Sequence, residues 1–417
     1  MKKTVPLIFL WIPLWASAQS MSLAGANDQK AAFSAEVGES FWSIKNSASA
    51  DISPAIQPKT FLFLPDADTK WAYRNPHTEL KVVGSQPITP FVHLNLKFKA
   101  DQQFGTKLDE LSLDWSLSPS WGFRAGVVDY KTTWCQNYDA DSPWIVSPTL
   151  ACSNRMFAET SGGAPGVQSY INLEVGQHYN MQALVGVYNP LIMNYAPKEF
   201  AQWIPSEQYQ VRKNNKLGGS LNLLNTWTGT EYRLSWVHTQ QEAFSPEQNI
   251  LGTTRQHTDL IYAGANFVLT PTVQLQLTRT QQYLSNNCEA VYQAQCQPDH
   301  VQDMSSTDTV KLLYHLSPKD VLGASYSHHQ IASQSGVSVG SITQWDNDFY
   351  RETHNGWGFA WRHAWAPQVF SAVQLQLQDQ SLGYSPSAYA AMNLPTSYGT
   401  FSSSGWALGL KLAYIFN

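Results

Sequence analysis

The 417-residue sequence is short of charge: Asp, Glu, Lys and Arg make up 14% of it, against about 25% in ordinary soluble domains. Past its first residues it has no apolar run of about 18 residues, which argues against a helix that crosses a membrane. No basic block occurs, and 26 basic residues face 31 acidic ones, which disfavours nucleic acid as a partner. Cysteine is sparse, with only Cys135, Cys152, Cys288 and Cys296. No CxxC and no histidine at ligand spacing accompany them, so a zinc site is disfavoured and no metal is expected. The patterns GxSxG, HExxH, paired carboxylates and glycine-rich nucleotide loops are missing. The chain therefore reads as no enzyme and as needing no cofactor. Aromatic residues are plentiful (16 Trp, 19 Tyr, 18 Phe), and with low charge they exclude a disordered chain.

Residues 1–18 read as a cleaved signal peptide. Lys2 and Lys3 are followed by the apolar stretch Pro6–Ala16, and Ala16-Ser17-Ala18 fits a cleavage site, leaving residues 19–417 as the mature chain. Export permits disulfides. Cys135 with Cys152 and Cys288 with Cys296 are the sequence-local pairings, among three possible connectivities.

Strict alternation dominates the rest. Val92, Leu94, Leu96 and Phe98 alternate with His93, Asn95, Lys97 and Lys99. Leu111, Leu113, Trp115 and Leu117 alternate with Glu110, Ser112, Asp114 and Ser116. Val373, Leu375 and Leu377 alternate with Gln374, Gln376 and Gln378, and Trp406, Leu408, Leu410, Leu412, Tyr414 and Phe416 share one parity. Such segments are strands with one apolar and one polar face. Sixteen are predicted, near 31–43, 78–85, 91–99, 108–117, 122–130, 169–176, 181–188, 217–225, 231–240, 259–269, 273–283, 308–316, 321–331, 354–364, 369–380 and 404–416; 14 or 18 strands are the neighbouring alternatives.

Connections between them alternate in length. Short turns recur at Ser118-Pro119, Thr270-Pro271, Ser317-Pro318, Ala366-Pro367, Gly176-Gln177-His178 and Thr226-Trp227-Thr228-Gly229. Long connections, near 46–77, 131–168, 189–216, 241–258, 284–307, 332–353 and 381–403, fall on the other side. This asymmetry separates an all-β transmembrane antiparallel barrel, with short periplasmic turns and long extracellular loops, from a soluble β-sandwich. Aromatics within the strands then read as interfacial belts.

The leader, the alternating strands, the stretch Leu108–Asp129 and the final segment Gly405–Phe416 together resemble a Gram-negative outer-membrane porin. The pattern departs at the end, where Asn417 makes the last aromatic penultimate. The resemblance implies a passive diffusion channel for small hydrophilic solutes in the outer-membrane lipid, commonly a homotrimer. It also implies that 131–168, which joins strands five and six, folds into the barrel as a constriction loop. That loop would carry Asp139, Asp141 and Arg155, with Trp134 and Trp144 (and Tyr138 beside them, Trp345 elsewhere) placed to stack on sugars or planar solutes. A Cys135–Cys152 bridge would limit its open conformations.

With the apolar parity facing lipid, the polar parity lines the lumen. Expected there are Lys81, Lys97, Lys99, Arg124, Arg233, Lys311, Arg362 and Lys411, against Glu79, Glu110, Asp114 and Glu174. Charges at the narrow part of a pore set its selectivity, so weak anion preference is expected, with Arg124 and Lys97 or Lys99 facing the loop. Asp139 and Asp141 would oppose it. The competing reading is a plugged transporter for a hydrophobic or aromatic substrate, in which 46–77, with Phe61–Leu64, inserts into the barrel.

Overall fold

The computed structural model describes residues 32–48, 71–73, 77–101, 105–129, 142–145, 163–188, 210–244, 252–290, 300–339, 342–384 and 401–416. Among them are strands and turns but no helix. The strands are β1 (Ala32–Ala48), β2 (Trp71–Tyr73), β3 (His77–Thr89), β4 (Val92–Asp101), β5 (Gly105–Ser118), β6 (Trp121–Asp129), β7 (Gly163–Val175), β8 (Tyr179–Tyr188) and β9 (Gln210–Asn225). They continue as β10 (Glu231–Phe244), β11 (Gly252–Thr270), β12 (Val273–Ala290), β13 (His300–His315), β14 (Asp320–Val339), β15 (Ile342–Ala366), β16 (Val369–Tyr384) and β17 (Phe401–Phe416).

Each strand from β3 to β17 pairs antiparallel with the next, and β1 closes the ring by pairing with β17 on one side and β3 on the other. The short β2 pairs with Ser43–Lys45 of β1, above β3 on the same edge. The wall is a closed barrel of sixteen antiparallel strands, at the sixteen expected places. Closure removes every open sheet edge, the condition for strands to sit in lipid.

The faces are inverted relative to a soluble protein. Leu111, Val167, Val185, Leu234, Leu312, Phe359, Leu410 and Leu412 are exposed on the outside, while Ser112, Gln168, Thr280, Thr307, Gln374 and Gln376 are buried inside. Alternation at period two makes both faces from one run of residues. The outer band is bounded by aromatics. Phe91, Trp121, Trp227, Trp365 and Phe416 stand exposed at the short-turn end, and Trp236 and Trp357 stand toward the other. Belt donors find partners: Trp121 Nε1 donates to Ser169 Oγ at 3.0 Å and Trp365 Nε1 to Ser371 Oγ at 3.0 Å. Beyond the second belt the outer face turns polar. Arg279 and Asp308 pair at 3.5 Å, His238 meets Asp259 at 2.9 Å, and Asn355 bridges His328 and Asp379.

The short turns share one device. In Thr89-Pro90-Phe91, Ser118-Pro119-Ser120, Thr270-Pro271-Thr272 and Ser317-Pro318-Lys319 the hydroxyl before proline accepts the N–H of the residue after it, at 3.1–3.3 Å. Proline costs nothing there because no ladder N–H is required. Gly176 and Gly229 take positive φ (68° and 71°) where the other turns need it.

The wall strands run further than expected on the long-connection side. β14 and β15 pair from Asp320↔His363 up to Val339↔Ile342, so the expected loop 332–353 is mostly hairpin. The same holds for 241–258 and 284–307, into which β10–β13 extend. Alternation could not show this: above the lipid band the outer positions need no apolar residue.

Candidate functional site

The polar interior is the only concentrated chemistry that the described residues present, and it is built strand by strand. On β4–β7 the register places Lys97 opposite Glu110 and Asp114 opposite Arg124. Directly opposed charges on one face meet. Lys97 Nζ lies 3.2 Å from Glu110 Oε2, and Arg124 Nε donates to Asp114 Oδ2 at 2.6 Å. Tyr170, from β7, donates to the other Asp114 oxygen at 2.6 Å, and the Arg124 guanidinium sits 5.2 Å from the Tyr170 ring centre. The Tyr170 hydroxyl fits because residue 122 beside it is glycine: a Cβ there would stand 2.3 Å from it.

Further polar groups line the same inner face. Arg233 donates to Asn222 at 2.8 Å and to Glu231 at 3.3 Å. Glu36 of β1 joins Lys81 of β3 (3.6 Å) and Lys411 of β17 (2.5 Å) across the closure of the barrel. On β13–β16, His329 Nδ1 meets Thr307 at 2.7 Å, His354 is hydrogen-bonded to Glu352, and Gln380 Nε2 donates to Glu352 at 2.5 Å. The two histidine rings lie 6.0 Å apart and are fully buried. Arg362 stacks on Phe370 at 4.4 Å.

Residues 142–145, between β6 and β7 in sequence, touch the opposite wall. The Ile145 N–H donates to Gln374 Oε1 of β16 at 2.7 Å. A Cβ on Gly323 of β14 would stand 2.7 Å from the Trp144 ring and 3.0 Å from Pro143. Both Trp144 and Ile145 are buried.

The sequence-derived wall residues Lys81, Lys97, Glu110, Asp114, Arg124, Arg233, Lys311, Arg362 and Lys411 fall on inward positions. Glu174 shares that parity but stands exposed at the short-turn end of β7. Trp345 is exposed beside His300 on β15. The side chains of Lys99, Glu79 and Cys288 are outside the described residues, as are Trp134, Cys135, Tyr138, Asp139, Asp141, Cys152, Arg155, Cys296, Phe61–Leu64 and residues 1–18. Sequence reasoning missed the acids Glu36, Glu231, Asp303 and Glu352 and the base Lys216. The parity of their strands carried that signal, but each lies at a strand end or where apolar alternation is interrupted. Among the described residues no group of three His, Cys, Asp or Glu could hold a metal ion.

The architecture matches solved outer-membrane barrels. The outer membrane channel DcaP of Acinetobacter baumannii superposes with a TM-score of 0.50 at 9% identity, over 93% of this chain and 97% of that one. The anion-selective porin from Comamonas acidovorans gives 0.51 at 10% identity, over 92% and 99%. The fold is that of a Gram-negative porin-like β-barrel. OmpT of Vibrio cholerae, an outer membrane protein, covers 94% of this chain and 100% of its own with a TM-score of 0.49 at 9% identity. No protein-family model matches the chain, and no curated protein matches its sequence.

Proposed function

We propose that this porin-like barrel is a passive diffusion channel for small hydrophilic solutes in the outer membrane, without catalytic activity. The observation that carries this reading is the inversion of faces: a closed sixteen-strand wall, apolar outside and hydrogen-bonding inside. A wall of that size encloses more space than side chains alone fill, and the polar face needs water or polar solute as its partner. Residues 1–18 serve as the export signal, and a homotrimer is the expected assembly.

The segment 131–168 acts as the constriction loop. The Ile145–Gln374 hydrogen bond and the packing of Trp144 on Gly323 support it, because β14 and β16 lie across the ring from β6 and β7. Weak anion preference rests on the basic residues of the wall. Among the described inward charges Lys81, Lys97, Arg124, Lys216, Arg233, Lys311, Arg362 and Lys411 stand against Glu36, Glu110, Asp114, Glu174, Glu231, Asp303, Asp346 and Glu352; Glu174 is at the exposed short-turn end and Asp346 on the upper hairpin, and the acids keep the bias small.

Reconstitution of the purified protein in planar bilayers tests the reading: stepwise conductance in KCl is expected, with a reversal potential of the sign for chloride in a salt gradient. A folded protein that gives no steps sinks it. A plugged transporter for a hydrophobic or aromatic substrate would then take its place, a reading favoured by the depth at which Thr280, His329 and Gln374 are buried.

A further inference from the structure

The outer face carries an open hollow of about 610 Å³ that spans β9–β13, and its floor is Ala263, Gly264 and Ala265 of β11. The register explains it. Ala263 lies between Leu234 of β10 and Arg279 of β12, and Ala265 lies between Tyr232 and Leu277. Alternate residues of a strand share a face, so two small outward side chains stand among long ones. Below them on β11 comes Phe267, edge-on to Tyr232 at 6.0 Å, and above them the exposed Ile261.

The outward charges that line the hollow are Arg279 and Asp308, at one corner. They pair at 3.5 Å through one guanidinium nitrogen, and both side chains are more than half exposed (57% and 51%). A guanidinium has five donors and a carboxylate about four acceptor sites, so the pair keeps capacity for a further partner. One step above, Gln281, Ser306, Gln330 and Thr353 lie side by side in register across β12–β15. All four are uncharged. Neighbouring strands are about 4.8 Å apart, so this neutral row is about 14 Å long.

We propose that this corner binds a phosphorylated glycolipid of the surrounding membrane. One acyl chain fills the hollow, a phosphate meets Arg279, and sugar hydroxyls and amides meet Asp308 and the neutral row. A hollow in the apolar band faces hydrocarbon, so a lipid chain is its occupant. Charge selects the headgroup. Asp308 offsets Arg279, so a headgroup that offers only an anion gains little here. One that brings hydroxyl and amide donors beside its phosphate engages both members of the pair, and the row above supplies uncharged partners for the rest of the sugar. The site needs the barrel to lie in a membrane and does not need it to conduct.

The test is native mass spectrometry of the full barrel in detergent, titrated with lipid A or with phosphatidylglycerol. Heat-modifiable gel mobility reports folding. The wild type is expected to hold one lipid A more tightly than phosphatidylglycerol. Arg279→Gln should weaken lipid A about tenfold, the loss of a charge-assisted hydrogen bond. Ala263→Phe, which fills the hollow and keeps the outer face apolar, should weaken it about fivefold or more, and Leu410→Phe on β17 should leave it unchanged. If either variant does not fold, the other carries the test. Equal lipid A affinity in the wild type and the folded variants overturns the site, and so does an equal loss in Leu410→Phe. Phosphatidylglycerol held as tightly as lipid A overturns the glycolipid. None of these results touches the channel reading, which conductance tests separately.

Discussion

The Ile145 backbone N–H donates to the Gln374 side-chain oxygen at 2.7 Å across 229 positions of sequence. One backbone-to-side-chain bond thus links the connection between β6 and β7 to the far wall of the barrel. Both partners are buried, where an unmade hydrogen bond costs more than a made one contributes. The bond, together with the packing of Trp144 on Gly323, is the contact on which the proposed constriction rests.

That contact can be released from the wall side. Gly323→Val places a branched side chain where the Trp144 ring already lies 2.7 Å from the Cβ position. The ring must leave, because overpacking in a filled site costs about 1–3 kcal/mol. Single-channel conductance is expected to rise, and the quenching of tryptophan emission by acrylamide to increase. Conductance equal to that of the wild type, in a barrel that folds, would count against 131–168 as the constriction.

Selectivity should respond to Asp114. Its carboxylate receives both Arg124 and Tyr170 at 2.6 Å. Asp114→Asn leaves the guanidinium without its counter-charge, at a cost of about 3–5 kcal/mol for a buried pair broken on one side. The reversal potential in a KCl gradient should move toward chloride, and the urea midpoint should fall. Asp114→Asn with Arg124→Gln removes the stranded charge and should return the potential toward its original value.

The outer face predicts a depth-dependent cost of charge. Leu312 lies within the apolar band and is exposed on the outside. Leu312→Arg is expected to destabilise the barrel by about 2–4 kcal/mol in bilayers, the cost near the midplane. Asp308→Ala, four residues away at the polar border beside Arg279, should cost no more than about 1 kcal/mol. Urea titrations in lipid vesicles measure both, and equal costs would place the band elsewhere.

Gly229 closes the turn between β9 and β10 at φ 71°. Gly229→Ala should lower stability by about 1–2 kcal/mol, the penalty of a left-handed conformation for a residue with a Cβ. The Val268 methyl, 3.2 Å from that Cβ, adds to it. The same urea titration reads the loss.

The strand plan was legible because each wall segment must be apolar on one face and polar on the other, and period-two alternation records both at once. The segments around Leu111–Leu117 and Trp406–Phe416 show this, and the parity also put Lys97, Arg124 and Arg362 on the inner face. The upper strand ends were not legible. In 332–339 and 284–290 the sequence carries no sustained apolar stripe, so no alternation marks where pairing stops. Partner choice was equally hidden. Glu36 meets Lys81 and Lys411 only because the first and last strands close the ring, and Ile145 finds Gln374 only because a connection folds across it. Local pattern is a one-dimensional signal that follows from burial of alternate side chains. Register, closure and the crossing of the interior are relations between distant segments, and only packing of the whole chain decides them.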